Sequence, residues 1–406
     1  MSSTLLTQKA QTYLRRLCVE ISNRRVGSTG NRAATNFFAD VVASFGWQTE
    51  CPEFDCIDWT QDGARLGVND EPFAALVSPY SLGCHVRAPL VSVSTVEQLE
   101  TVDAANAVLL LRGDIAKEQL MPKNFTFYNP DEHKRIIRLL EAKQPLAIIA
   151  ATTRNPETAG AVYPFPLIED GDFDIPSVYT TEEEGNRLAQ HIGKHVALDI
   201  RAKRIPAKGC NVIARKGTSS QRIVVTAHID AKDGTPGALD DGSGITTLLL
   251  LAELLRDYDG RLGIELAALN GEDHYSAAGE VHYLKRNQNK FDEIRLCINL
   301  DDLGFHQGHS AYSLYDCSTA LAETIRKTFA RHDDVVEGEV WYQGDHMIFV
   351  QNQVPALAVT SEHVMDILFS IAHTPQDTPD IVDCAKLTDV AMALWKLLME
   401  LDRTLP

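Results

Sequence analysis

The residues of this 406-residue chain that could do chemistry recur as short groups of imidazoles and carboxylates. In order they are His228-Ile229-Asp230; Asp240-Asp241 within Gly237-Ala238-Leu239-Asp240-Asp241-Gly242-Ser243-Gly244; Glu272-Asp273-His274 after Asn270-Gly271; Asp301-Asp302 after Asn299-Leu300; and His373 within Ala372-His373-Thr374-Pro375-Gln376-Asp377. So many carboxylates gathered at one place repel one another unless cations sit among them. With Asp240, Asp273 and Asp301 as anionic ligands and His228 and His373 as neutral ones, two divalent ions leave a single positive charge, which a bridging hydroxide cancels. Nitrogen and oxygen ligation suits two Zn²⁺, with Co²⁺ or Mn²⁺ as substitutes, and disfavours Mg²⁺ and Ca²⁺. Paired ions predict hydrolysis: one polarises a carbonyl, and the shared, acidified water attacks it. Glu272 adjoins a ligand without being needed as one and is the natural general base for that water.

These groups can meet only if the elements before them end together. Arg222 to Ala227, Leu262 to Leu269, Ile294 to Leu300 and Pro355 to Thr360 read as strands. Ser243 to Tyr258 reads as a helix apolar nearly all round, hence buried, and Ala385 to Leu401 as a closing helix. Strand alternating with helix after Pro206 predicts an open, largely parallel sheet covered on both faces, whose ligand site lies beyond the carboxyl ends of the strands. Leu5 to Glu20 and Asn31 to Phe45 have helical spacing and flank the turn-like Val26-Gly27-Ser28-Thr29-Gly30. From about Cys51 the texture changes to short apolar runs broken by Gly, Pro and Asp. Strands are expected at Ala107 to Leu111, Leu146 to Ala151 and Ile175 to Tyr179. A helix over Pro130 to Lys143 is expected to start at Asn129, and another to open with a Thr181/Glu184 capping box. The expectation is an α/β, doubly wound, mostly parallel catalytic domain formed by residues 1–49 and 207–406. A smaller α/β or β-rich domain, 50–206, interrupts it.

The succession His-x-Asp, Gly-Ala-x-Asp-Asp-x-Ser-Gly, Gly-Glu-Asp, Ile-Asn-x-Asp and His-Thr-x-x-Asp-Thr resembles the co-catalytic di-zinc exopeptidases. That family includes bacterial leucyl aminopeptidases, glutamate carboxypeptidase, the catalytically inactive transferrin receptor and the glutaminyl cyclases. The resemblance covers residues 208 to 384, and Arg25-Val26-Gly27-Ser28 matches the family's amino-terminal segment. It implies that His228 and Asp301 bind one zinc, that Asp273 and His373 bind the other, and that Asp240 bridges them. It further implies that Asp230 orients His228, that Glu272 is the base, that the Asp240–Asp241 peptide is cis, and that the insert is similar to a protease-associated domain. The chain departs from the pattern in three places. Asp273 replaces a usual Glu, Tyr275 to Gly279 is one residue longer than usual, and Ala372 stands where carboxypeptidase relatives carry Tyr. Tyr342 is the candidate to supply the missing oxyanion hydroxyl, and Asp345 and His346 match a motif that lines the cleft.

The expected activity is a zinc exopeptidase, an aminopeptidase releasing N-terminal residues from short peptides, with a peptide as its partner. The alternatives are a carboxypeptidase or dipeptidase, another amidohydrolase, and a non-catalytic binding protein of receptor type. Thirty-eight basic against 56 acidic side chains, a net charge of −18, argue against nucleic acid or an anionic membrane surface as partner. No apolar run reaches the roughly 18 residues of a membrane span, since Ile245 to Leu255 is short and holds Glu253. Met1 to Arg16 lacks a basic stretch followed by an apolar core, which points to a cytoplasmic protein with reduced, mostly buried thiols. The eight cysteines form no Cys-x-x-Cys pair. Gly308-His309-Ser310-Ala311-Tyr312 lacks the closing glycine of a nucleophile elbow, and no Gly-rich loop ends in Lys-Ser or Lys-Thr. Asp241 is expected to cap a helix. Asp302 is expected to be structural, and His274, His306 and His309 to lie at the surface. Asp377 either caps the final helix or supports His373. The insert's role stays open between shaping the cleft, limiting substrate size and mediating a homodimer.

Overall fold

The computed structural model describes residues 2–21, 23–126, 128–154 and 162–404; Met1 therefore lies outside it. Contacts divide the chain into one unit of Met1–Cys56 with Lys208–Pro406 and a second of Ile57–Ala207. The first boundary falls later than the change of texture at Cys51, because the strand Glu53–Val68 runs unbroken across it.

In the first unit eight strands form one sheet. From edge to edge they are Gln48–Glu50, Val212–Lys216, Gly263–Leu269, Arg222–His228, Ile294–Leu300, Ala356–Ser361, Ser310–Tyr315 and Val335–Glu337. The middle four are parallel, and their carboxyl ends are level: His228 lies opposite Leu269, Thr226 opposite Asn299 and Leu300 opposite Val359. Their side chains are buried on both faces, which is why they read as continuous apolar runs. From Arg222–His228 the chain passes to Gly263–Leu269 on one side and then to Ile294–Leu300 on the other. The strand order therefore reverses at Arg222–His228, where open sheets of this kind place their ligand.

The flanking pairs are antiparallel: Val212–Lys216 against Gly263–Leu269, and Ser310–Tyr315 against Ala356–Ser361. Neither outer strand stood out in the sequence, because Val212–Lys216 is only five residues long and ends in Arg and Lys. The helix Gly244–Leu254 is buried at every position except Leu254. It shares its core with Leu6, Ala10 and Leu14 of Ser3–Arg15, with Phe38 and Val42 of Thr29–Ser44, and with Leu387, Leu394 and Leu398 of Cys384–Thr404. Ser28 starts the Thr29–Ser44 helix by accepting the Asn31 N–H at 3.0 Å.

The second unit holds another mixed sheet. Cys84–Val93, Val108–Leu111, Ala147–Thr152 and Ser177–Thr181 are its parallel centre. The expected helix there runs Asp131–Lys143, but Pro130 takes the cap position and Asn129 instead donates to the Pro122 carbonyl at 2.9 Å. Only half of the expected capping box forms. Thr181 Oγ1 accepts the Glu184 N–H at 3.2 Å, while the Glu184 carboxylate turns to the Ala74 N–H at 3.1 Å. Among the described residues no helix is long and apolar enough to cross a membrane. The thiols are less buried than expected: only Cys297 and Cys384 are fully covered, and Cys51 is exposed.

Candidate metal centre

Three of the groups singled out in the sequence hang from the carboxyl ends of parallel strands, while Asp240-Asp241 opens the buried helix. His228 is the last residue of its strand, Glu272 and Asp273 follow the strand that ends at Leu269, and Asp301 follows Leu300 directly. His373 comes from the loop after the helix Val364–Ser370. It holds a left-handed backbone angle, φ 61°, a conformation that costs a non-glycine residue and is concentrated at functional sites.

The structure brings five of these side chains together. His228 Nε2 lies 2.9 Å from Asp240 Oδ1 and 3.7 Å from Asp301 Oδ1. His373 Nε2 lies 3.0 Å from Asp240 Oδ2 and 3.0 Å from Asp273 Oδ1. They form two triads, His228–Asp240–Asp301 and Asp240–Asp273–His373, each with donor atoms within 4.8 Å of one another. Asp240 belongs to both, one oxygen to each. His228 and the three carboxylates are buried, whereas the His373 side chain is 41% exposed and marks the open side.

The charges are compensated largely within this cluster. Burial alone would discharge His228, but the carboxylates of Asp230, Asp240 and Asp301 hold its pKa well above the ordinary value. His373 is raised against burial in the same way by Asp273 and Asp240. Burial would raise Asp240, yet the two imidazoles keep it below the usual carboxylate range. Asp273 Oδ2 is buried and meets no donor. An acceptor left in this state is costly unless a cation satisfies it. The donor set and this orphan oxygen therefore fit a pair of divalent cations, with His228 and Asp301 on one, Asp273 and His373 on the other, and Asp240 on both.

Asp241 and the cis peptide match the expected supports, whereas Asp230 and Asp377 do not. Asp230 Oδ1 stands 3.7 Å from His228 Nδ1, too far for a hydrogen bond. Its two oxygens accept the backbone N–H of Gly271 at 2.6 Å and of Asp273 at 3.1 Å, so it grips the loop on both sides of Glu272. Glu272 is half-buried, and burial, reinforced by Asp273 and Asp301, lifts its pKa well above the ordinary value. Asp241 accepts from Gly244 N at 2.8 Å, capping the buried helix, and from His228 N at 3.2 Å; the Asp240–Asp241 peptide is cis. Asp377 neither caps the final helix nor meets His373. It accepts the N–H groups of Leu239 at 2.7 Å and Asp240 at 3.2 Å.

Comparison with known proteins places this arrangement. Residues 211–398 match the model of peptidase family M28. These residues, a little under half of the chain, are thus similar to that family. The M28 region holds all five clustered side chains, and residues 57–207 lie outside it. The probable lipoprotein aminopeptidase LpqL of Mycobacterium tuberculosis is 23% identical over 304 residues, 73% of this chain and 58% of its own length. The chain thus spans little more than half of that relative. The aminopeptidase from Aneurinibacillus sp. strain AM-1 superposes with a TM-score of 0.75 at 20% identity, over 97% of this chain and 93% of its own. The zinc aminopeptidase BSAP from Bacillus subtilis does so with a TM-score of 0.74 at 19% identity, over 97% and 94%. At these identities the solved structures establish the fold.

Beyond the five, the M28 region treats the remaining candidates unequally. His346 is fully buried. Its Nε2 lies 3.1 Å from the Trp341 carbonyl, its Nδ1 lies 3.5 Å from Asn299 Nδ2, and burial lowers its pKa to about 4. It is therefore a neutral ring holding the 341–346 loop, with no surface to offer a substrate. Asp345 is buried too and faces the carboxyl of Glu280. Tyr342 is 66% exposed, and its ring rests edge-on against Tyr315. Among the described contacts its hydroxyl meets none of the five. Gly344, between them, has φ +113°, and a Cβ there would stand 2.9 Å from Asp301 Oδ2, so only glycine lets this loop approach the centre. His274, expected at the surface, is buried, its ring tilted against Tyr275 with centroids 4.3 Å apart.

Two supports escaped the sequence reading. Arg24 is buried and donates to the carbonyls of Ile229, Leu17, Pro236 and Gly237 at 2.8–3.1 Å, locking the loop between His228 and Asp240. Asn270 exchanges two hydrogen bonds with Asn31, at 2.8 and 3.0 Å, and anchors the base of the Glu272 loop. Arg24 adjoins the Arg25-Val26-Gly27-Ser28 turn, which was the available signal; nothing marked Asn270 or Asn31.

Proposed function

We propose that this protein is a metal-dependent aminopeptidase that removes N-terminal residues from short peptides, using two Zn²⁺ ions for which Co²⁺ or Mn²⁺ can substitute. The observation that carries this reading is Asp240, whose two oxygens face two separate histidine–carboxylate sets. Such a bridge is what a co-catalytic metal pair requires, and a single structural ion does not. The ions supply carbonyl polarisation and an acidified water. The chain supplies the rest. Glu272, held between two N–H groups pinned by Asp230, takes the water's proton and returns it to the leaving amine; a raised pKa suits a group that must both accept and donate near neutral pH.

The match of residues 211–398 to peptidase family M28 and the named activities of the similar proteins support peptide-bond hydrolysis. The charge around the centre supports amine rather than carboxylate recognition. The half-buried carboxyl of Glu272 adjoins the centre, whereas the buried guanidinium of Arg24 spends its donors on backbone carbonyls. A carboxypeptidase needs a free cationic grip on its substrate.

The test is kinetic. Glu272→Gln should lower kcat by about 10²–10⁴-fold, the range of a positioned general base, while metal content stays at the wild-type level. Dipeptides with a blocked amine should resist the enzyme and those with a blocked carboxyl should be cleaved. The opposite preference would make it a carboxypeptidase, and full activity in the Glu272→Gln protein or after chelation would overturn the reading.

A further inference from the structure

Two cysteines far apart in sequence meet in the first unit. Gln48–Glu50 pairs antiparallel with Val212–Lys216, with Glu50 opposite Ile213. Cys51 follows this last pair by one residue and Cys210 precedes it by three, so both lie just beyond the same end of the paired strands. The two thiols are in hydrogen-bonding contact. Cys51 is exposed and Cys210 half-buried, so reagents in solution reach the pair. The contact with Cys51, aided by the Thr35 hydroxyl, draws the Cys210 thiol below its ordinary value and favours its nucleophilic thiolate. The Cys210 carbonyl accepts from Asn270 Nδ2 at 3.0 Å, and Asn270 directly precedes Gly271 and Glu272.

We propose that Cys51 and Cys210 form a reversible, hydroperoxide-driven disulfide couple that tightens the Glu272 loop through Asn270. The Cys210 thiolate attacks one peroxide oxygen, breaking the O–O bond and forming a sulfenic acid while the leaving oxygen takes up a proton. The Cys51 sulfur then attacks the Cys210 sulfur. The S–S bond forms, the S–O bond breaks, and the hydroxide departs as water with the Cys51 proton. Two electrons pass from the thiols to the peroxide; two thiols and one hydroperoxide yield one disulfide, one water and one alcohol (a second water from hydrogen peroxide). The bond would close a ring of chain containing all of residues 57–207.

The test uses the full-length, metal-loaded protein and does not depend on its activity. Treatment with hydrogen peroxide at neutral pH should consume two of the eight thiols and give a linked peptide joining Cys51 to Cys210 in an unreduced digest. Hydrogen exchange over residues 270–273 should slow, and dithiothreitol should reverse both changes. Cys51→Ser and Cys210→Ser should give neither the linked peptide nor the slowed exchange. A link to any other cysteine, direct passage to sulfonic acid, or unchanged exchange in the linked protein would overturn the proposal.

Discussion

Asp377 accepts the backbone N–H of Asp240 at 3.2 Å and that of the preceding Leu239 at 2.7 Å. The bridging carboxylate is thus held by a second carboxylate acting on its main chain, from a loop 137 residues later. Asp377→Ala would strand two buried donors, each costing about 1–3 kcal/mol. Zinc affinity should fall by roughly 10–100-fold, as for other groups that orient ligands. Competition with a chelator of known affinity measures this, and unchanged affinity would mean that Asp240 needs no such anchor.

The shared position of Asp240 predicts unequal losses of metal. Asp301→Ala removes a ligand from one triad, so the protein should retain close to one ion, whereas Asp240→Ala breaks both triads and should retain close to none. Metal analysis after gel filtration reads the outcome directly. Equal retention in the two variants would contradict the bridge.

Asp230 should act through Glu272 rather than through His228. Asp230→Asn turns an amide N–H₂ toward a loop that offers only N–H donors, so one of its contacts to Gly271 and Asp273 becomes repulsive. The expected result is a fall in kcat of about 10-fold or more, the scale of about 1.4 kcal/mol in the barrier, with KM little changed. A fall in metal content with kcat per bound metal preserved would instead assign Asp230 to the histidine.

Glu280 and Asp345 predict how stability depends on pH. Their carboxyls face each other in a buried setting, and burial lifts Glu280 from the ordinary 4.5 to about 8. Between these values the folded chain keeps a proton that the unfolded chain has released, so this pair's contribution to stability falls as pH rises and levels off above about 8. The melting temperature of the metal-loaded protein should therefore decline from pH 5 to 8, and Glu280→Gln should flatten that decline. An equal slope in both proteins would place the titrating group elsewhere.

Three of the ligands were legible before any fold was in view, because each closely follows a continuous apolar run. In a parallel sheet the ends of such runs lie side by side: His228, Asp273 and Asp301 are one, four and one residues from their strands' last apolar positions. The buried helix Gly244–Leu254 was legible because it is apolar nearly all round, with Glu253 as its one charge. The antiparallel strands beside the parallel centre were not. Val212–Lys216 is short and polar at one end, and Ser310–Tyr315 carries serines that read as a loop.

The identity of the metal-binding side chains, and the hydrolytic chemistry they permit, follow from residue type and order along the chain, since ligand chemistry is a local property. Which atoms support them does not. Asp230 grips the Glu272 loop, Asp377 holds Asp240, Asn31 and Asn270 lock together, His346 and His274 are buried, and Cys51 meets Cys210. Each of these depends on backbone groups and neighbours brought from distant parts of the sequence, and a hydrogen bond depends on direction and distance that only the packed chain sets.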